Sequence, residues 1–238
     1  MKKIVLITAA LISVLAVAAQ TKESTQQVLS RAGDHLMLQF SSDHWTGVPD
    51  SINNHIKGFS RGANVYVMMN KPFKGNPKLS VAYGVGISTS NMVFKKMAVD
   101  VKSTGAKLPF ISLDSSNHFK KYKLTTAFLE VPIELRFTAD PVNDRKSIKG
   151  AIGVKVGTLL SVHTKGKTLQ DKNDKTINAY VLKENSKRFF NSTRLSVTGR
   201  ISYGNFGIFG SYQVNNLFKD GVAAAIKPFQ VGITLSGL

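Results

Sequence analysis

The chain has 238 residues, no cysteine, 42% apolar residues and a formal net charge of +18. Its length suits one domain or two small ones, and its apolar content excludes a disordered chain. Without cysteine there is no disulfide, thiolate metal site, cysteine nucleophile or cysteine-linked lipid anchor, and the basic balance leaves nucleic acid or an anionic lipid surface as partners to weigh.

The first element is a targeting segment. "MKK" gives a positive start, "IVLITAALISVLAV" an apolar run, and "VAAQ" places Val17 and Ala19 at the small-residue positions before a cut at Ala19–Gln20. This reads as a secretory signal peptide over residues 1–19. Export leaves no role for nucleic acid. No later stretch reaches the ~20 apolar residues of a membrane helix, so any membrane crossing must use strands. Residues 20–34 read as a polar periplasmic lead-in to a single domain over residues 35–238.

From residue 35 the dominant period is two, the period of strands. "HLMLQFS" puts Leu36, Leu38 and Phe40 in phase. "GANVYVMMN" is apolar on both faces and leaves its phase open. "PKLSVAYGVGIST" sets Leu79, Val81, Tyr83, Val85 and Ile87 against Ser80, Ala82, Gly84, Gly86 and Ser88. In "YKLTTAFLEVPIELRF", Leu129, Val131, Ile133, Leu135 and Phe137 oppose Phe128, Glu130, Pro132, Glu134 and Arg136, and Pro132 predicts a bulge. "SIKGAIGVKVGTLLSVH" opposes Ile152, Val154, Val156, Leu160 and Val162 to Lys149, Ala151, Gly153, Lys155, Gly157 and Ser161. "TRLSVTGRISY", "NFGIFGSYQV" and "PFQVGITLSGL" complete eight segments, with Arg194 and Arg200 on the polar face of the sixth.

Long and short connections alternate: 42–60, 91–121, 164–189 and 215–226 against 71–77, 138–147 and a tight turn at Gly204-Asn205. That alternation, with an even strand count, predicts an all-β, eight-stranded antiparallel up-and-down transmembrane β-barrel in the outer membrane, its short turns and both termini on the periplasmic side. The small residues facing Leu79–Ile87 then line a lumen just wide enough to be filled by side chains. Glu130, Glu134, Arg136, Lys149, Lys155, Arg194 and Arg200 are expected to form a structural charge network there. Aromatics near strand ends, among them Phe40, Trp45, Phe73, Phe137, Phe189, Phe190, Tyr203, Phe206 and Phe229, are expected to form interfacial girdles.

"FLEVPIELRF" followed by "AIGVKVGTLLS" resembles the PorT-like outer-membrane β-barrel proteins of Bacteroidetes-type bacteria. The match rests on Leu129-Glu130-Val131-Pro132 and Arg136-Phe137, with "FSRGANVYVMMNKPF" and "GVGIS" resembling the family's second and third strands. The resemblance implies an eight-strand outer-membrane barrel without an assigned chemistry, one branch of the family being linked to a secretion apparatus for surface proteins.

The residues offer little chemistry of their own. His35, His44, His55, His118 and His163 include no i,i+2 or i,i+4 pair, so no metal is expected, and no cofactor either. "DKND" at 171–174 lacks the glycine and terminal glutamate of a calcium loop. "GVG" at 84–86 has no helix after it. The catalytic candidate is Ser161 with His163, two apart on one strand face, with Glu130 as a third member. It frames one alternative, an outer-membrane lipid-modifying hydrolase. A soluble periplasmic barrel binding a small apolar ligand is the other. The preferred reading is non-enzymatic: a structural or interaction component of the envelope whose partners are outer-membrane lipid, lipopolysaccharide and envelope or secretion proteins. The long loops and their borders carry Lys95, Lys96, Lys102, Lys107, Lys120, Lys121, Lys123, Lys165, Lys167, Lys172, Lys175, Lys183, Lys187 and Arg188. Of these, Lys95, Lys96, Lys120, Lys121, Lys165 and Lys167 are the expected contacts to lipopolysaccharide phosphates.

Overall fold

The computed structural model describes residues 36–237. The expected signal peptide at 1–19 and the expected lead-in at 20–34 lie outside them. Eight long strands alternate with four long and three short connections: β1 (Leu36–Thr46), β2 (Arg61–Phe73), β3 (Asn76–Phe94), β6 (His118–Thr138), β7 (Ile148–Gln170), β9 (Thr193–Tyr203), β10 (Phe206–Gln213) and β11 (Lys227–Ser236). Three further strands, β4 (Met97–Val99), β5 (Phe110–Ser112) and β8 (Thr176–Asn185), and a one-turn helix α1 (Asp50–Asn53) arise within the long connections. The hydrogen-bonded order β6-β3-β2-β1-β11-β10-β9-β7 is closed by pairing of β6 with β7, and all these pairings are antiparallel. Closure leaves no unpaired edge around the wall. The β9–β10 turn is tight because Gly204 takes a φ of +57°, which a side chain would resist.

The apolar faces look outward. Val85, Ile133 and Ile233 are 49%, 48% and 62% exposed, while their neighbours Ser88, Glu134 and Gln230 are buried. A water-soluble barrel needs the opposite, so the periplasmic ligand-binding alternative is overturned. The open phase of β2 resolves with Asn64, Tyr66 and Met68 inside and Val65, Val67 and Met69 outside. The bare stripe of β3 serves both the β2 backbone and these inward groups: a Cβ on Gly86 would run into the Val65 carbonyl and the Tyr66 ring, and one on Gly84 into the Val67 carbonyl and to 2.7 Å from the Met68 sulfur.

Two local expectations are corrected. Pro132 does not bulge. The β3–β6 register is the same on both sides of it, with unpaired positions between Tyr83↔Ile133 and Gly86↔Glu130, and Pro132 stays in register with Lys155. The missing N–H is thus met by a gap in one ladder opposite Gly84. The irregularity lies instead in β7, where Ala127 pairs with Ser161 but Phe128 pairs with Leu159, leaving Leu160 as an extra residue. An extra residue inverts every later side chain. Val162 therefore points inward and is 1% exposed, whereas Ser161 and His163 share the outer face with Leu160.

Candidate functional site

The lumen is built from charged residues on facing strands. Glu134, from β6, accepts hydrogen bonds at one oxygen from Arg136 Nε at 2.9 Å and from Arg200 Nη2 at 3.0 Å. Arg200 Nη1 also donates to Ser236 Oγ at 2.9 Å. One level further out, Glu130 pairs with Arg194 Nη1 at 3.2 Å and accepts from the Tyr66 hydroxyl at 2.6 Å. Lys155 lies between the levels. Its Nζ donates to Tyr66 Oη at 3.3 Å and Gln39 Oε1 at 3.4 Å, and it sits 5.0 Å from the Tyr66 ring centre. Above them, Asp43 accepts from Ser41 and Gln230, and Ser88 links Asn64 to Arg194. Glu130, Glu134 and Lys155 are each 2% exposed. Of the seven residues expected in this network, six enter it. Lys149 does not: it stays at the inner rim and pairs with Asp144 at 3.3 Å. Tyr66 is a member that strand patterning missed, because a tyrosine in a two-sided apolar segment carries no signal of facing a lumen; Gln39 was not singled out, although the alternation of Leu36, Leu38 and Phe40 turns it inward.

The outer mouth is closed by a second, apolar layer. Phe94, Val99, Val101, Phe189, Phe190, Leu217, Phe218 and Ile226 come from three different long connections or their borders and are buried in one cluster with Met92, Leu124 and Phe128 at the top of the wall. Trp45 packs edge-on against Phe94 and Phe218, at 5.8 and 6.0 Å between ring centres. Trp45, Phe189 and Phe190 are thus lid residues, which corrects their assignment to an interfacial girdle. Polar clips tie the lid loops together. His55 Nε2 lies 3.0 Å from Asp114, His118 Nε2 lies 2.9 Å from Asp174, and Arg188 donates to the carbonyls of Ser103 and Thr104. The hydrogen bonds from His55 and His118 hold the Asp114 and Asp174 carboxyls below the usual carboxylate range.

The outer wall above the apolar band carries a belt of cations. Lys123 of β6 stands directly opposite Lys165 of β7, and Lys165 opposite Lys183 of β8. Lys121 stands opposite Lys167 in the next outward-facing row. Arg61, at the start of β2, lies within electrostatic reach of Lys123, and His163 within reach of Lys123, Lys165 and Lys183. Glu184, the one carboxylate of β8, is on the other face, opposite the buried Thr164. Lys123 Nζ donates to Asn91 Oδ1 at 2.6 Å. Like charges placed directly across a ladder destabilise it, so an anion at this face would relieve their repulsion. Of the six lysines singled out from the sequence, Lys121, Lys165 and Lys167 join the belt. Lys95 is exposed just past β3, Lys96 is turned to Asp174 at 3.5 Å, and Lys120 alternates away from Lys121. Arg61, Lys123 and Lys183 complete the belt, and only register could have selected them.

The catalytic arrangement is not assembled. Ser161 and His163 look outward, whereas Glu130 is turned into the lumen toward Tyr66 and Arg194, on the other side of the wall. In "DKND", Asp174 is engaged by His118 and Lys96, and Asp171 accepts from the backbone N–H groups of Asn173 and Lys175. Among the described residues no cluster of three or more histidine or acidic side chains could hold a metal ion.

The family model described as outer membrane protein beta-barrel domain matches residues 18–236. No curated protein matches the chain. Among solved structures, the chain is similar to the attachment invasion locus protein Ail of Yersinia pestis, alone and in complex with the heparin analogue sucrose octasulfate. In both cases identity is 12%, coverage is 85% of this chain and 95% of that chain, and the TM-score is 0.34.

Proposed function

The chain belongs to the outer membrane protein β-barrel domain family and lies in the outer membrane, and from that premise we propose that it is a non-enzymatic, permanently closed barrel held by its cationic belt to the phosphates of outer-leaflet lipopolysaccharide. The observation that carries this reading is the cross-strand row Lys123–Lys165–Lys183, on the lipid-facing side just above the apolar band. A lysine near an anionic membrane surface contributes about 1 kcal/mol, and several act together. Apposed lysines gain more, because the same anion also relieves their mutual repulsion. The filled lumen and the apolar lid support a structural or interaction role in the envelope rather than transport.

The test is a triple variant, Lys123→Gln, Lys165→Gln and Lys183→Gln, reconstituted with and without lipopolysaccharide. Lipopolysaccharide should raise the unfolding temperature of the native protein, and the variant should lose most of that increment while keeping its stability in neutral detergent. An equal increment in both proteins rejects the reading. The Leu129-Glu130-Val131-Pro132 and Arg136-Phe137 motif supports a finer placement near the PorT-like barrels, with a tie to protein secretion. Recovery of secretion-apparatus proteins with the barrel in mild detergent tests that placement, and their absence would reject it.

A further inference from the structure

The hairpin of β7 and β8 rises beyond the barrel, and one side of it is unoccupied. The distal half of β7, from His163 to Gln170, pairs with β6 on one side and β8 on the other, while its lower half, through Thr158, pairs with β9. β8 pairs with β7 alone and ends the order of strands. Among the described residues no backbone hydrogen bond outside that pairing reaches residues 176–185. Free edges in native proteins are usually short, kinked, rich in lysine or proline, or covered. β8 is ten residues long and contains no proline and one lysine; its pairing with β7 is regular over residues 181–185 and shifts register twice beyond them, and it exposes Ile177, Tyr180, Val181 and Leu182 across its two faces.

We propose that β8 is a docking edge on which an extended, acidic segment of a partner protein adds as a further strand. Strand addition draws affinity from main-chain hydrogen bonds and specificity from alternate side chains. The regularly paired residues 181–185 offer a straight track of about 17 Å, and the irregular outer half continues it. The apolar residues on both faces fit a guest with apolar side chains on alternate positions. Charge selects the guest's sign. Lys165, Lys167, Lys172, Lys175 and Lys183 lie on the hairpin, and Lys187 and Arg188 follow it. Its acids are engaged or averted: Asp174 by His118 and Lys96, Asp171 by its own turn, Glu184 by facing inward. A second copy of this chain is the wrong guest. Two copies in one membrane would bring Lys183 against Lys183 with their strands running the same way, and like charges opposed across a ladder repel.

The probe is a synthetic ten-residue peptide alternating glutamate with valine or isoleucine, added to the full-length barrel in lipid nanodiscs. Binding is read by fluorescence anisotropy and by hydrogen exchange of residues 176–185. The acidic peptide should bind at about micromolar affinity and slow exchange of the β8 amides by about tenfold or more. A peptide with lysine for glutamate, and an acidic peptide with alternate amides N-methylated, should each bind at least about tenfold more weakly. On the protein, Lys175→Glu with Lys183→Glu should weaken the acidic peptide by about tenfold, and Val181→Pro should also weaken it while leaving the barrel's unfolding temperature unchanged. Equal binding of the N-methylated peptide, or binding without protection of residues 176–185, overturns strand addition. Equal protection by dextran sulfate also overturns it, since a polyanion without a peptide backbone would then satisfy the site.

Discussion

Glu134 holds two guanidinium groups on one oxygen in a space from which water is nearly excluded. Removing one partner of a buried ion pair costs about 3–5 kcal/mol, because the remaining charge is left without compensation. Glu134→Gln should lower unfolding stability in urea by about that amount when refolded into lipid vesicles, and Ser202→Ala, which deletes a buried hydroxyl with no hydrogen-bond partner among the described residues, should be close to neutral. Similar losses for the two would mean the network contributes little. Gly86 makes a complementary point, since its missing side chain is where the Tyr66 ring lies. Gly86→Val forces the Val65 carbonyl and that ring to shift, and overpacking of this kind costs about 1–3 kcal/mol. The same unfolding assay checks it, and no loss would show that both the β2 backbone at Val65 and the Tyr66 ring have room to move. At this scale the sequence was half legible. The bare face of β3 and the charges of β6, β7 and β9 announce a narrow lumen by alternation alone. Tyr66 stayed hidden because Val65, Tyr66, Val67, Met68 and Met69 are apolar on both faces, and period two cannot orient such a run.

Elements were legible where one face differs from the other. β9 begins and ends where its pattern begins and ends, Thr193 to Tyr203; β1, β3, β6 and β7 extend further into the outer loops than their patterns, β2 runs on to Phe73 at the inner turn, and β10 and β11 end slightly short of theirs. The bulge at Leu160 left no trace, since "TLLSVH" reads as regular alternation in either phase, and that one residue decides whether Ser161 faces the lumen or the lipid. β4 and β5 have three residues each, too few for a period, and β8 has apolar side chains on both faces. The lid formed by these connections depends on contacts distant in sequence, which local pattern cannot show. Its response to acid can be foretold. The Asp114 and Asp174 carboxyls titrate below the usual range because His55 and His118 hydrogen-bond their charged forms. A depressed carboxyl contributes stability above its unfolded-state value and loses it as pH falls through the lowered folded value. The lid clips should therefore hold down to the ordinary carboxylate range and release only below it. Trp45, the only tryptophan in the chain, reports on this through Phe94, Phe110 and Phe218, which pack from Trp45 toward β5 and Asp114. Its emission should shift in a step at strongly acid pH, and that step should vanish in the Asp114→Asn, Asp174→Asn double variant. A step that persists places the acid-sensitive contact elsewhere.

At the scale of the molecule, composition announced a charge of +18 without saying where it lies. The lumen absorbs little of it: Arg136, Lys155, Arg194 and Arg200 face Asp43, Glu130 and Glu134 there. The external belt and hairpin hold a further share, and this division determines how the barrel treats ions. A permeating ion meets two barriers in series. The inner one is the filled lumen, where Tyr66, Phe128, Lys155 and Arg194 occupy the cross-section. The outer one is the apolar lid, beneath which a cavity lined by Trp45, Phe128, Arg194 and Leu217 measures about 10 Å³, no more than one water requires. Eight strands enclose a bore that side chains can fill, and here they do. The native protein in planar bilayers should therefore show no channel steps even at high salt. Because the barriers are in series, loosening the lid alone should not open a path. Phe218→Ala should alter Trp45 emission, since the rings are in contact, yet leave the bilayer silent. Conduction by the native protein would contradict the filled lumen. Conduction by Phe218→Ala would mean that the lid is the sole barrier and that the ion pairs below it leave a continuous aqueous path.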